Sequence, residues 1–134
     1  MANWYGASRS NYFKVKDEAK FIEWAEGLGL VVIRSQHNSK LVGIHPNDYR
    51  EGEWPSDPED GEDTDLFTQL SKHLEPGQVA VLQTIGSENL RYLTGWAVAV
   101  NSKGKQVTVS IDDIYMVAAK KFGMDSTGIT SACY

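Results

Sequence analysis

The amino-acid sequence predicts an α+β fold: one domain, residues 1–134, with an antiparallel or mixed sheet of about six strands and three helices mainly on one face. Three observations carry that expectation. Two pairs of alternating apolar and polar segments flank short turns, as hairpins do. Three stretches repeat apolar residues every three or four positions, the stripe of an amphipathic helix. A chain of 134 residues, 41% hydrophobic with 14 aromatic residues, is long and apolar enough to bury a single core.

Taken in order, "NYFKVK" (11–16) sets Tyr12 on one face and Phe13 and Val15 on the other, the period of a half-buried strand. Asp17 is the N-cap of "DEAKFIEWAEGL", where Phe21, Trp24, Ala25 and Leu28 form an apolar stripe and Gly27 and Gly29 end the helix. "LVVIRSQ" (30–36) and "KLVGIHP" (40–46) form a hairpin around His37, Asn38 and Ser39. A long loop over 46–63 follows, rich in proline and glycine. Asp63 or Thr64 then caps "DLFTQLSKHL", with Phe67, Leu70 and Leu74 inward, and Glu75-Pro76-Gly77 closes that helix. "QVAVLQTIG" (78–86) is a strand, and "LRYLTGWAVAVN" and "KQVTVSI" form a second hairpin across "SKGK". Trp96, Val98 and Val100 share one face there, and Ala97 and Ala99 make the other face small enough for a helix to approach closely. Ser110 or Asp112 caps "DDIYMVAAKKFG" (112–123), with Ile114, Val117, Ala118 and Phe122 inward, and the tail beyond is extended or loose. The predicted core is Phe21, Trp24, Leu28, Val32, Leu70, Val81, Trp96, Val98 and Ile114.

The net charge of −5 is unevenly distributed. Between Asp48 and Asp65 nine acids face one base, Arg50, for a local net of −8, while the rest of the chain nets +3. A localised charge can be aimed at a partner, and carboxylates spaced along an extended loop approach the charge density of a nucleic-acid backbone. Asp57, Glu59, Asp60, Glu62 and Asp63, with Tyr49 and Trp54 as flanking aromatic anchors, are therefore the expected partner-binding residues. The expected partner is a protein with a basic surface, and no direct nucleic-acid binding is expected.

Several chemistries find no support. An EF-hand register with Gly61 at its sixth position puts Pro58 and Phe67 where ligands belong, so no calcium loop is expected. One cysteine, Cys133, allows neither an intrachain disulfide nor a CxxC zinc site. His37, His45 and His73 are scattered, and His45 with Asp48 does not make a metal site. Neither a GxSxG elbow nor a phosphate loop is present, so no catalytic residue is assigned and neither cofactor nor metal is expected. The N-terminal "MANWYGASRSNYF" lacks a basic n-region followed by an apolar h-region, and no apolar run approaches the ~20 residues that span a bilayer. A cytoplasmic protein with no membrane contact is expected.

"NWYGASRSNYFKVKD", "LRYLTGWAVAVN" and "SIDDIYMVA" together resemble a family of small bacterial proteins of phages, plasmids and genomic islands. The likeness runs over most of the chain, including an acidic segment ahead of "TDLFTQLSKHLEPGQVAVL". It brings no catalytic motif, so no site residue follows from it. What it implies is a context. Small proteins of mobile elements without catalytic signatures include inhibitors that block a host defence complex, as anti-CRISPR and anti-restriction proteins do. The expected function is therefore a non-enzymatic protein-binding inhibitor of a nucleic-acid-handling defence complex, acting through the acidic surface. The alternative is a small ligand-binding domain or enzyme with a site near Arg9, Tyr12, Arg91 and Tyr92, where arginine lies beside tyrosine. A deep pocket lined by those four residues distinguishes the second reading from the first.

Overall fold

A computed structural model describes residues 4–47, 54–55, 65–88 and 91–132. Along the chain run β1 (Trp4–Ser10), α1 (Glu18–Gly27), β2 (Leu30–Arg34), β3 (Val42–Pro46), α2 (Leu66–His73), β4 (Val79–Glu88), β5 (Tyr92–Asn101), β6 (Gln106–Ser110) and α3 (Asp113–Phe122). This is the expected α+β domain, with its strands divided between two antiparallel sheets: four strands in the order β1-β4-β5-β6, and the β2–β3 hairpin.

One strand was hidden from a hydrophobicity reading. β1 turns Ser8 and Ser10 inward and Tyr5, Ala7 and Arg9 outward, so its buried face is polar and carries no apolar alternation. The buried hydroxyls are satisfied. Ser8 Oγ and Thr84 Oγ1 share a hydrogen bond of 2.8 Å across the β1–β4 pair. Ser10 Oγ accepts from the Ile44 amide at 2.8 Å and donates to the Asn11 carbonyl at 2.7 Å, which ties the hairpin to β1. The expected strand at 11–16 is instead an irregular crossing with two isolated bridges, Phe13 to Val42 and Val15 to Leu74. Its alternation is nonetheless real, because Phe13 is fully buried and Tyr12 points out.

Asp17 caps α1 as its position predicts, accepting from the Lys20 amide. The cap of α2 is Asp65, which accepts from the Thr68 amide at 2.6 Å, one or two residues beyond the expected Asp63 or Thr64. Phe13, Phe21, Ala25, Val42, Ile44, Leu70, Leu74, Ala80, Leu82 and Val100 form the fully buried centre. α1, α2 and the hairpin thus cover one face of the four-stranded sheet, the face carrying Ala80, Leu82, Val98 and Val100. Trp24, Leu28 and Val32 pack partly buried against this core, and Val81 and Trp96 are half-buried.

Ile114 departs from expectation, and so does its whole helix. Ile114 is 59% exposed, Val117 58% and Phe122 73%, and the buried residue of α3 is Ala119. The helix leaves β6 after only Ile111 and Asp112, ends at Gly123 in the left-handed conformation (φ 66°), and touches its own chain mainly through β6 and the turn at Ser126–Gly128. The tail beyond α3 is thus ordered locally: Asp125 caps that turn, and the Ala132 amide donates to the Tyr115 hydroxyl.

Candidate functional site: an apolar cleft across the sheet

Because strand residues alternate between faces, the second face of the four-stranded sheet is fixed by the first. Opposite Leu82, Val98 and Val100 stand Val79, Val81, Gln83 and Ile85 of β4, Ala97 and Ala99 of β5, and Val107 and Val109 of β6. An antiparallel sheet that turns one face to water ordinarily makes that face polar. Here Ile85 is 63% exposed, Val107 62% and Val109 56%.

A cleft of about 1080 Å³ is lined jointly by this sheet, with residues from both sets of the alternation, and by the β2–β3 hairpin. Its sheet-side lining comes from three adjacent cross-strand rows: Ala7, Ile85 and Gly95; Ser8, Thr84, Trp96 and Ser110; and Arg9, Gln83, Ala97 and Val109. Ile111 closes the β6 end, and its Cγ2 would lie 3.1 Å from a Cβ added at Gly95, so the glycine lets Ile111 fold over the sheet. Ile33, Arg34, Gln36 and His45 contribute the hairpin side.

Several polar groups of the cleft are already engaged. Arg34 forms an ion pair with Glu18 and donates to the Ser39 carbonyl. His45 Nδ1 donates to the Pro46 carbonyl at 2.7 Å. Ser8 and Thr84 share their hydroxyl bond. Arg9 is the exception: its Nε donates to the Ser10 carbonyl, its guanidinium lies 5.2 Å from the centre of the Tyr12 ring, and no carboxylate among the described residues pairs with it. The cleft therefore offers apolar surface, small residues that allow close approach, and one stacked cation at its β1 end.

The sequence-predicted candidates fall in three places. Arg9 and Tyr12 are brought together in the cleft. Arg91 is instead at the β4–β5 turn, exposed and paired with Glu88 at 3.6 Å, outside the cleft lining. Tyr92 pairs with Glu88 through the backbone, and its side chain lies outside the described residues. Tyr49, Asp57, Glu59, Asp60, Glu62 and Asp63 also lie outside the described residues. Trp54 packs against the core, half-buried, with its indole Nε1 enclosed and without an acceptor among the described residues.

Ile85, Val109 and Ile111 were not anticipated as site residues. The signal was present: "KQVTVSI" alternates Val107, Val109 and Ile111 against Thr108 and Ser110. That pattern asks for the valines to be buried, but the register sets Val98 opposite Thr108 and so puts the threonine on the core side. Among the described residues no three of His, Cys, Asp and Glu converge to hold a metal ion, and no helix is long and apolar enough to cross a membrane. Compared with protein-family models, with curated proteins and with solved structures, the chain matches none.

Proposed function

We propose that the protein is a non-enzymatic binding module whose cleft receives an amphipathic helix of a protein partner. The observation that supports this reading is a cleft between sheet and hairpin lined by the exposed Ile85, Val109 and Ile111 and by the small residues Ala7, Gly95 and Ala97. A helix laid in such a groove gains affinity from apolar area and direction from a few polar contacts at the rim. Ala7, Gly95 and Ala97 leave room for the helix backbone, Ile85, Val109 and Ile111 contact its apolar side, and Arg9 selects an acidic residue at one end. The mutual engagement of Ser8 with Thr84, and of Arg34 with Glu18, leaves those groups as scaffold and not as catalytic pairs.

A second reading rests on the charge run between Asp48 and Asp65. In it, the acidic segment meets the basic surface of a host nucleic-acid-handling complex and blocks it, in keeping with the mobile-element context that the resemblance implies. Charge of this kind speeds encounter and selects partners.

Capture from a host lysate separates the two when the immobilised wild type is compared with Ile85→Lys and with a variant whose Asp57, Glu59, Asp60, Glu62 and Asp63 are changed to Asn or Gln. The cleft reading expects the captured partner to be lost with Ile85→Lys and kept with the neutralised run. The reverse result favours the acidic segment, and a partner retained by both variants overturns both readings.

A further inference from the structure

Twelve of the thirteen large hydrophobic side chains exposed among the described residues belong to two surfaces. Tyr5, Val79, Ile85, Leu93, Val107 and Val109, with Ile111 at the rim, belong to the uncovered sheet side; Ile114, Met116, Val117, Phe122 and Met124 belong to α3 and the residues just after it. Each is patterned for burial. Ile114, Val117 and Ala118 form a helical stripe with Phe122 at its margin, and Val107 and Val109 form the apolar half of a strand alternation. Neither is covered by the described residues of one chain.

We infer that the cleft is occupied by α3 of a second copy of the chain, in a symmetric dimer where each copy gives its helix and receives its partner's. The inference rests on the reading of the cleft as a helix-binding groove and names its occupant. A two-fold axis makes the exchange self-complementary, because helix-on-sheet is repeated as sheet-on-helix. Half-exposed side chains of this size present roughly 80 Å² each, so Ile85, Val109 and Ile111 with the five of α3 and its end offer on the order of 600 Å² per copy, near the low end of specific interfaces, which average about 800 Å² per partner. Charge gives the direction. Asp112 and Asp113 lie at the start of α3, and Lys120 and Lys121 in its last turn. A helix lying with its start toward β1 brings its acids to Arg9.

Sedimentation equilibrium of the full-length protein tests this, with Val109→Lys on the sheet face and Phe122→Lys on the helix as separate variants. Both positions are exposed in the single chain, so circular dichroism is expected to show native folds. Wild type is expected to sediment as a dimer, and each lysine to raise the dissociation constant roughly 30-fold or more, the effect of losing a strong hot spot. A synthetic peptide spanning 111–124 is expected to convert the wild-type dimer to peptide-bound monomer, a result that depends on no variant folding. A wild type that stays monomeric at hundreds of micromolar overturns the inference, as does a dimer indifferent to both lysines and to the peptide. If such a monomer still loses its captured partner with Ile85→Lys, the cleft remains a partner's groove and only the second-copy occupant is wrong.

Discussion

His73 shows how one side chain reports on its surroundings. It ends α2 with its ring 5.0 Å from Trp24 and 5.8 Å from Phe21, while the Trp24 indole N–H donates to Gln69 Oε1 at 2.7 Å. Burial lowers the His73 pKa below its ordinary 6.5, Lys16 nearby lowers it further, and Asp17 opposes both. A histidine held neutral by the fold binds its proton more readily in the unfolded chain. Its contribution to stability is therefore complete above 6.5 and is lost as pH falls from there toward the lowered folded value. Urea midpoints for wild type and His73→Phe, which keeps a ring but does not titrate, isolate the effect. The stability of wild type relative to the variant is expected to fall as pH drops below 6.5. A difference that is flat or rises on acidification contradicts the assignment.

At the scale of elements, the β2–β3 hairpin is held against β1 by a contact that admits no side chain. A Cβ at Gly43 would lie 2.8 Å from the Asn11 carbonyl oxygen and 3.1 Å from Ser10 Oγ, the atom that accepts the Ile44 amide. Backbone cannot yield as a flexible side chain does. Gly43→Ala is thus expected to cost about 1–3 kcal/mol in a denaturant titration, the range for overpacking a filled site. The hairpin supplies one side of the cleft, so the variant should also weaken partner capture. A neutral result means that the hairpin moves freely on β1. These elements differ in how far the sequence revealed them. α1 and the hairpin are legible because Phe21, Ala25, Val42 and Ile44 are patterned and buried in the same chain. β1 is not, because its buried residues are serines whose bonding partners, Thr84 and Ile44, are far away in sequence. For β6 and α3 the pattern is right and the burial is missing: Ile114 and Phe122 read as inward-facing and stand exposed, as does Val109 in the apolar half of its strand alternation. Arg9 and Tyr12 were legible as candidates from adjacency. Ile85 and Ile111 were not, since only the cross-strand register brings them to one cleft.

For the whole molecule, that conflict between pattern and exposure is the organising fact. Sequences that fold well agree across levels, and local disagreement concentrates where a protein meets something else. One sheet face carries the core and the other leaves Ile85, Val107 and Val109 exposed; in the proposed dimer α3 of a second copy, with its apolar stripe and its charges, covers the cleft end of that face. The most direct measurement is an isotope-filtered nuclear Overhauser experiment on an equal mixture of carbon-13-labelled and unlabelled chains, which detects only contacts between copies. Cross-peaks are predicted between the methyl groups of Ile85 and Val109 in one chain and the Phe122 ring of the other. A well-folded sample at millimolar concentration with no cross-peaks between copies at these positions would contradict the account.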